Sequence, residues 1–285
     1  MCDAPINIIK KQANVCSLKC LLWYKYGNSS CTVSNQSDQL VITYDGASDV
    51  LFNSVPYNPV DIRIFKPSLH TFDGTYTDAE LVITHKGTIG GLIISIPIVA
   101  SGSTNASSGT NLLHDIITGA PPENGSTSLN LQDFNLNYLI PKSSYFSYTG
   151  TLLYGNCNPN VRYQYVVFPK KEGIFLAQDS IDDLGRLIHD SYIPTYEGSC
   201  FFNEKGTTSN GFAGDGQIYI DCQPTGEEGE IIYKEDTTTK SLNLQWLSAI
   251  IYLLVGMFIM YVCVTILKYV WKSLSADKPD LPIEK

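Results

Sequence analysis

The stretch from Leu244 to Leu267, LQWLSAIIYLLVGMFIMYVCVTIL, runs for 24 residues without a charged side chain. As a helix rising about 1.5 Å per residue it would span about 36 Å, enough for a hydrocarbon core of about 30 Å with some tilt. Trp246, Tyr269 and Trp271 lie near its ends, where amphipathic rings favour the interface. A buried core helix is the alternative, but such helices are seldom this long and free of charge. The expectation is one transmembrane helix over 244–267, followed by a short tail, 268–285. The N-terminus, MCDAPINIIKK, has no apolar h-region, so no secretory signal is visible. Together with the position of the anchor, this points to tail-anchored insertion, with residues 1–240 on the cytosolic side. Lys268 and Lys272 argue the other way by the positive-inside rule, but Lys234 and Lys240 offset them.

Charge restricts the partners. Residues 1–240 carry 15 basic and 25 acidic side chains, a net −10, and the remainder four and three, a net +1. An acidic domain repels phosphate and sulfate polymers at long range. Nucleic acid is therefore excluded, and sulfated glycans are disfavoured unless a local basic patch exists. With 44% hydrophobic and 11% aromatic residues, the chain has too much apolar surface to remain disordered.

Before residue 200 the texture is that of short strands. LVITY (Leu40–Tyr44), VDIRIF (Val60–Phe65), ELVITH (Glu80–His85), GLIISIPIV (Gly91–Val99) and YQYVVF (Tyr163–Phe168) are rich in β-branched and aromatic residues. Gly, Pro, Asn and Ser clusters separate them. LIISIPIV is apolar on both faces, as a doubly covered central strand requires. Two helical patterns interrupt the strands, Thr110–Ile117 and Gln178–His189, the second with Asp179 or Ser180 as its cap. From 199 to 243, Gly, Thr and acidic residues replace the strand pattern. QIYID reads as one extra strand and the rest as a stalk. The domain boundaries expected are 1–198, 199–243, 244–267 and 268–285.

Eight cysteines are present. Seven lie outside the apolar run, and an odd number without a secretory signal fits reduced thiols better than a disulfide framework. Cys16 and Cys20 have a CxxxC spacing, but no second pair or nearby His completes a zinc site. Sequons at Asn28, Asn35, Asn105 and Asn124 matter only if the domain is luminal. Asp215 and Asp221 are too few for a calcium loop. Asp182 and Asp183 suit the first turns of a helix, and Gly226–Glu230 (GEEGE) reads as a solvated run. His114 belongs on a solvated helix face.

Four stretches, in order, resemble the α-carbonic anhydrase family. APINI (Ala4–Ile8) is similar to the family's SPINI. SLHTFDGTYTDAELVITH (Ser68–His85) is similar to SEHTVDG…AELHLVH. GLIISIPIV and the helix after it resemble the family's central strand and helix. LIPKSSYFSYTGTLL (Leu139–Leu153), VRYQYVVFP (Val161–Pro169) and the Gln178 helix resemble LLP…YYTYPGSLTTPP…WIVF and its following helix. The resemblance implies a mainly β fold: a large, twisted, mostly antiparallel sheet with a few short helices, here with the C-terminal transmembrane helix added.

The family holds zinc with three neutral imidazoles and uses the fourth position for a water whose pKa the metal lowers to about 7. Two ligands come from an HxH strand before the HTFDG segment, yet no histidine precedes His70 in this chain. The third ligand position falls on Val82, and the hydroxyl that orients zinc-bound hydroxide falls on Leu153. The proton-shuttle position falls around Ser37–Asp38. His70 and His85 match non-ligand histidines, expected to lie close together and to hydrogen-bond locally. The expectation is a chain without catalytic, cofactor or metal residues, and not an enzyme. The layout also resembles the membrane-anchored carbonic anhydrase-like virion proteins of poxviruses. That implies a structural or interaction protein of a large DNA virus particle. Its partners would be a membrane, other virion or capsid proteins and, for host attachment, a host glycan. The alternatives are a residual zinc enzyme and a receptor-type ectodomain.

Overall fold

A computed structural model describes residues 2–16, 20–102, 107–207, 260 and 264–268. The chain divides into two units, Met1–Ile220 and Asp221–Lys285. The described part of the first unit contains β1 (Asn7–Ile8), β2 (Asn14–Val15), β3 (Leu22–Tyr26), β4 (Cys31–Asn35), β5 (Gln39–Thr43), β6 (Ser48–Phe52), β7 (Val55–Phe65), β8 (Thr71–Phe72), β9 (Ala79–Lys86) and β10 (Gly91–Ser101). After helix α1 (Ser108–Thr118) come β11 (Ser126–Leu129), β12 (Tyr145–Gly150), β13 (Tyr163–Val167) and β14 (Ile174–Ala177), then α2 (Gln178–Leu187) and β15 (Phe201–Asn203).

Among the described residues, thirteen strands form one sheet along the path β11-β4-β5-β7-β9-β10-β13-β12-β15-β2, with β14 on β10 and β6 on both β3 and β7. Within it, pairing is antiparallel except at β10–β13, β10–β14 and β15–β2. β1 and β8 form a separate parallel pair. The mainly β expectation holds, and the five strand patterns fall on β5, β7, β9, β10 and β13. β15 pairs with β12, so the sheet extends past residue 198.

Alternation along the central strands divides the interior in two. Ile62 and Ile64 of β7, Leu81 and Ile83 of β9, and Leu92, Ile94, Ile96 and Ile98 of β10 enter one core. Phe65, Val82 and Ile93, each one residue out of phase, enter the other. Period two sends neighbours to opposite faces, so strands covered on both sides must be apolar at nearly every position. α1 closes the first core with Leu112, Leu113, Ile116 and Ile117, capped by Ser107, whose hydroxyl accepts from Thr110 N–H. α2 adds Ile181 and Leu184. Its expected cap is replaced: Ala177 stands at the N-cap with no side-chain bond. Ser180 is instead buried, bonded to His114 Nδ1 at 2.9 Å between the two helices.

The transmembrane helix expected over 244–267 lies outside the described residues apart from Met260 and 264–267, which are helical. No helix among the described residues is long and apolar enough to cross a membrane. The QIYID strand, Asp215, Asp221 and the GEEGE run also lie outside them.

The expectation of reduced thiols is overturned. Cys2 pairs with Cys157, and Cys16 with Cys20, at Cα separations of 6.2 and 6.1 Å. Counting cysteines missed this because pairing depends on spatial approach, and Cys2 meets Cys157 across 155 residues of sequence. Cys31 and Cys200 are free and buried. A cross-link closing so long a loop constrains the unfolded chain strongly, so C2S/C157S is expected to lower unfolding free energy by about 2–5 kcal/mol. A non-reducing proteolytic digest should recover the two cysteine peptides joined. Separate peptides, or a stability loss below about 0.5 kcal/mol, would contradict the pairing.

Candidate functional site at the sheet centre

β7 and β9 run side by side in a register that pairs Arg63 with Val82 and Asp61 with Thr84. Directly opposed residues project to the same face, so these four side chains share one patch. Arg63 donates from Nε and Nη2 to Asp61 Oδ2 at 3.1 and 2.7 Å, and from Nη1 to Gln39 Oε1 at 2.9 Å. Its guanidinium lies over the Tyr154 ring, 4.4 Å from the centroid. The Tyr154 hydroxyl is 2.7 Å from Thr84 Oγ1 and donates to Asp61 Oδ1 at 3.4 Å. Both charged side chains are only 18% exposed. Burial pushes the Arg63 pKa down, but the hydrogen bond and charge of Asp61 more than reverse this, leaving it raised. Burial likewise raises the Tyr154 phenol. The patch therefore holds a fixed cation clamped between a carboxylate and a neutral ring. Val82 and Leu153 lie in the apolar core on the same side.

A zinc site needs converging lone pairs from several side chains. Val82 offers none, Arg63 is a permanent cation, and Asp61 is already bound to it. The residues at this centre do not fit a zinc ion. Among all described residues, no group of three or more His, Cys, Asp or Glu side chains could hold a metal.

The histidines fall elsewhere. His70 Nδ1 is 2.6 Å from Glu80 Oε1 and its Nε2 is 2.7 Å from the Tyr148 hydroxyl. Tyr148 stacks on Tyr165 with ring centroids 4.3 Å apart. Glu80 Oε2 also accepts the backbone N–H groups of Leu69 and His70, at 2.7 and 2.9 Å. Burial alone would raise the Glu80 pKa, but the charge and hydrogen bonds of His70 hold it below the ordinary range. His85 bonds Tyr26 Oη at 2.7 Å and the Leu92 carbonyl at 3.2 Å. The expected proximity of His70 and His85 is corrected: Glu80, which holds His70, and His85 are an odd number of residues apart on β9. They therefore face opposite sides. His114 is exposed, and His189 sits 4.0 Å from Glu123 at the surface.

Ser37 and Asp38 occupy the turn between β4 and β5, where the Ser37 hydroxyl donates to Glu123 at 2.6 Å. Asn28 and Asn124 are exposed. Asn35 is buried, its amide donating to the carbonyls of Pro121 and Leu187, so it is closed to a glycan. Asn105 lies outside the described residues. Asp182 and Asp183 lie on α2, where Asp183 pairs with Arg186. The Asp61–Arg63–Tyr154 cluster was missed in the sequence, although the alternation of VDIRIF already placed Asp61 and Arg63 on one face.

No family model and no curated protein sequence matches the chain. Solved structures do. The chain is similar to the α-carbonic anhydrase of Photobacterium profundum, with a TM-score of 0.61 and 15% identity, over 71% of this chain and 89% of that one. The α-carbonic anhydrase of Thermovibrio ammonificans, bound to sulfanilamide, gives 0.62 and 16%, over 71% and 87%. Carbonic anhydrase Cah3 of Chlamydomonas reinhardtii, bound to acetazolamide, gives 0.58 and 17%, over 72% and 90%. The fold is thus carbonic anhydrase-like. The expectation that the chain is not an enzyme is corrected by the same finding. These similar structures are carbonic anhydrases, and a centre that does not fit zinc does not by itself make a domain inactive.

Two outcomes follow from this geometry. Replacing the clamp with imidazoles, D61H/R63H/V82H, is expected to give stoichiometric zinc by elemental analysis where the parent protein binds none. Equal zinc in both would contradict the assignment. Burial pushes the His85 pKa down to about 4 from an ordinary 6.5. Because the folded value is depressed, the unfolded chain takes up this proton first as pH falls. Stability is fully present above pH 6.5 and declines towards pH 4, by on the order of 3 kcal/mol from this group. Urea unfolding of H85Q should show a shallower loss across that window; an unchanged slope would exclude His85 as its source.

Proposed function

We propose that the chain is a membrane-held display protein, in which a carbonic anhydrase-like domain is carried on a stalk by a single helix at 244–267. In this role it acts as a structural or interaction protein of a large DNA virus particle, linking the particle membrane to other virion proteins. The charge-free run of 24 residues, set beside a folded domain of this class, carries the reading. The net −10 of residues 1–240 favours protein partners over sulfated host glycans. Two disulfides favour an oxidising surrounding for the domain over the reducing cytosol. The role neither requires nor excludes turnover elsewhere on the domain.

Placing charge in the run tests the anchor. Each arginine at a helix centre costs about 2.5–3.5 kcal/mol of insertion free energy. The parent protein is therefore expected to stay with membranes through alkaline carbonate extraction, whereas L254R/V255R is released. Release of both, or retention of both, would remove the anchor from the account.

A further inference from the structure

A cleft of about 510 Å³ is lined by β12, β13 and β15 and by the turn from β6 to β7. Register builds its sheet wall. Thr149 of β12 lies opposite Gln164 of β13, and Ser147, two residues earlier, lies opposite Phe201 of β15. These four side chains therefore share one face. Phe146, on the other face of β12, joins the core that holds Val82, so the cleft is separate from the Arg63 cluster. The Phe201 ring is 47% exposed, and Val55, on the turn, 45%. Thr149 and Ser199 are exposed as well. Among the described residues, no charged side chain lines the cleft. Ser147 differs from its neighbours: it is only 4% exposed. Its hydroxyl bonds to no described residue, yet it is not sealed inside as the unpartnered hydroxyls of Ser95 and Ser143 are. It opens on the cleft it lines. Thr149 Oγ1 donates to Gln164 Oε1 at 3.1 Å, which fixes the amide and leaves its Nε2 with two N–H donors to offer.

We propose that this cleft binds a neutral sugar ring, its apolar C–H face on Phe201 and its hydroxyls on Ser147 and Gln164. Three features select that occupant. An anion finds no cation in the lining and meets the repulsion of a chain at −9. An alkyl chain would leave the Ser147 hydroxyl and the Gln164 amide desolvated without a partner. An extended peptide would look for a free strand edge, but β12 is paired on both sides, to β13 and β15. A sugar hydroxyl both donates and accepts, as the serine and threonine hydroxyls here do, and an exposed ring among a few polar groups suits a small ligand with one apolar face. The proposal goes beyond the membrane-held role, and its failure would leave the anchor and its extraction test untouched.

The test is a ligand-observed NMR titration of the full-length protein in polyoxyethylene-ether micelles, which carry no sugar headgroup. The probes are the methyl glycosides of glucose, galactose, mannose, N-acetylglucosamine and N-acetylgalactosamine. At least one is expected to bind with a Kd of about 1 mM or tighter. F201A and S147A are each expected to weaken it about fivefold or more, through a lost ring face and a lost hydrogen bond. Y138A, which removes an exposed ring outside the cleft, should change it less than about twofold. S147A deletes a hydroxyl that the fold does not bond, so its thermal melt should match or exceed the parent's. If F201A does not fold, Q164A takes its place. No probe binding at about 1 mM, a smaller loss in either cleft variant, a lower melt for S147A, or tighter binding of galactose 6-sulfate than of galactose would overturn the proposal.

Discussion

The central strands are covered on both faces, and the titratable groups they carry find their partners inside the protein. An unpaired buried donor or acceptor costs about 1–3 kcal/mol, and a buried charge more. This requirement organises the interior. Glu80 on β9 holds His70 and two backbone N–H groups. His85, on the other side of the same strand, holds Tyr26. Arg63, on the neighbouring strand, is held by Asp61, Gln39 and Tyr154. Each is a closed set of side chains brought together from separate parts of the chain, and each fixes the register of the strands that carry it.

The third set stands where β7 and β9 face the apolar core containing Val82 and Leu153. A guanidinium cannot lose its charge, so its presence there commits the site to an anion. Asp61 supplies that anion from two residues away on the same strand. The consequence is chemical as well as structural: with Asp61 bound to Arg63 and Val82 apolar, the centre offers no converging free lone pairs to a metal.

Much of this architecture is legible in the sequence. Five alternating or wholly apolar patterns fall on strands of the sheet, and the helical pattern over Gln178–His189 falls on α2, which ends at Leu187. Local patterning suffices there because burial imposes period two or 3.6 directly. Partnerships across the chain are not legible in that way. The Cys2–Cys157 pair and the opposite facing of His70 and His85 both depend on which strands become neighbours. Arg63 is intermediate. Its face follows from alternation, but its stacking on Tyr154 follows only from the return of the chain after β12. Ser180 shows the local rule yielding: a residue suited to capping is drawn instead into the contact between helices.

The closed Asp61–Arg63 pair is the centre of the account, and a double-mutant cycle measures it directly. Unfolding free energies of the parent, D61N, R63Q and the double variant are to be compared in urea at neutral pH. The account predicts a coupling energy of at least about 1 kcal/mol, because each single change leaves the other group half-buried without its partner. Additivity within about 0.3 kcal/mol would mean that the two side chains act independently, and the pair would not be what closes the sheet centre.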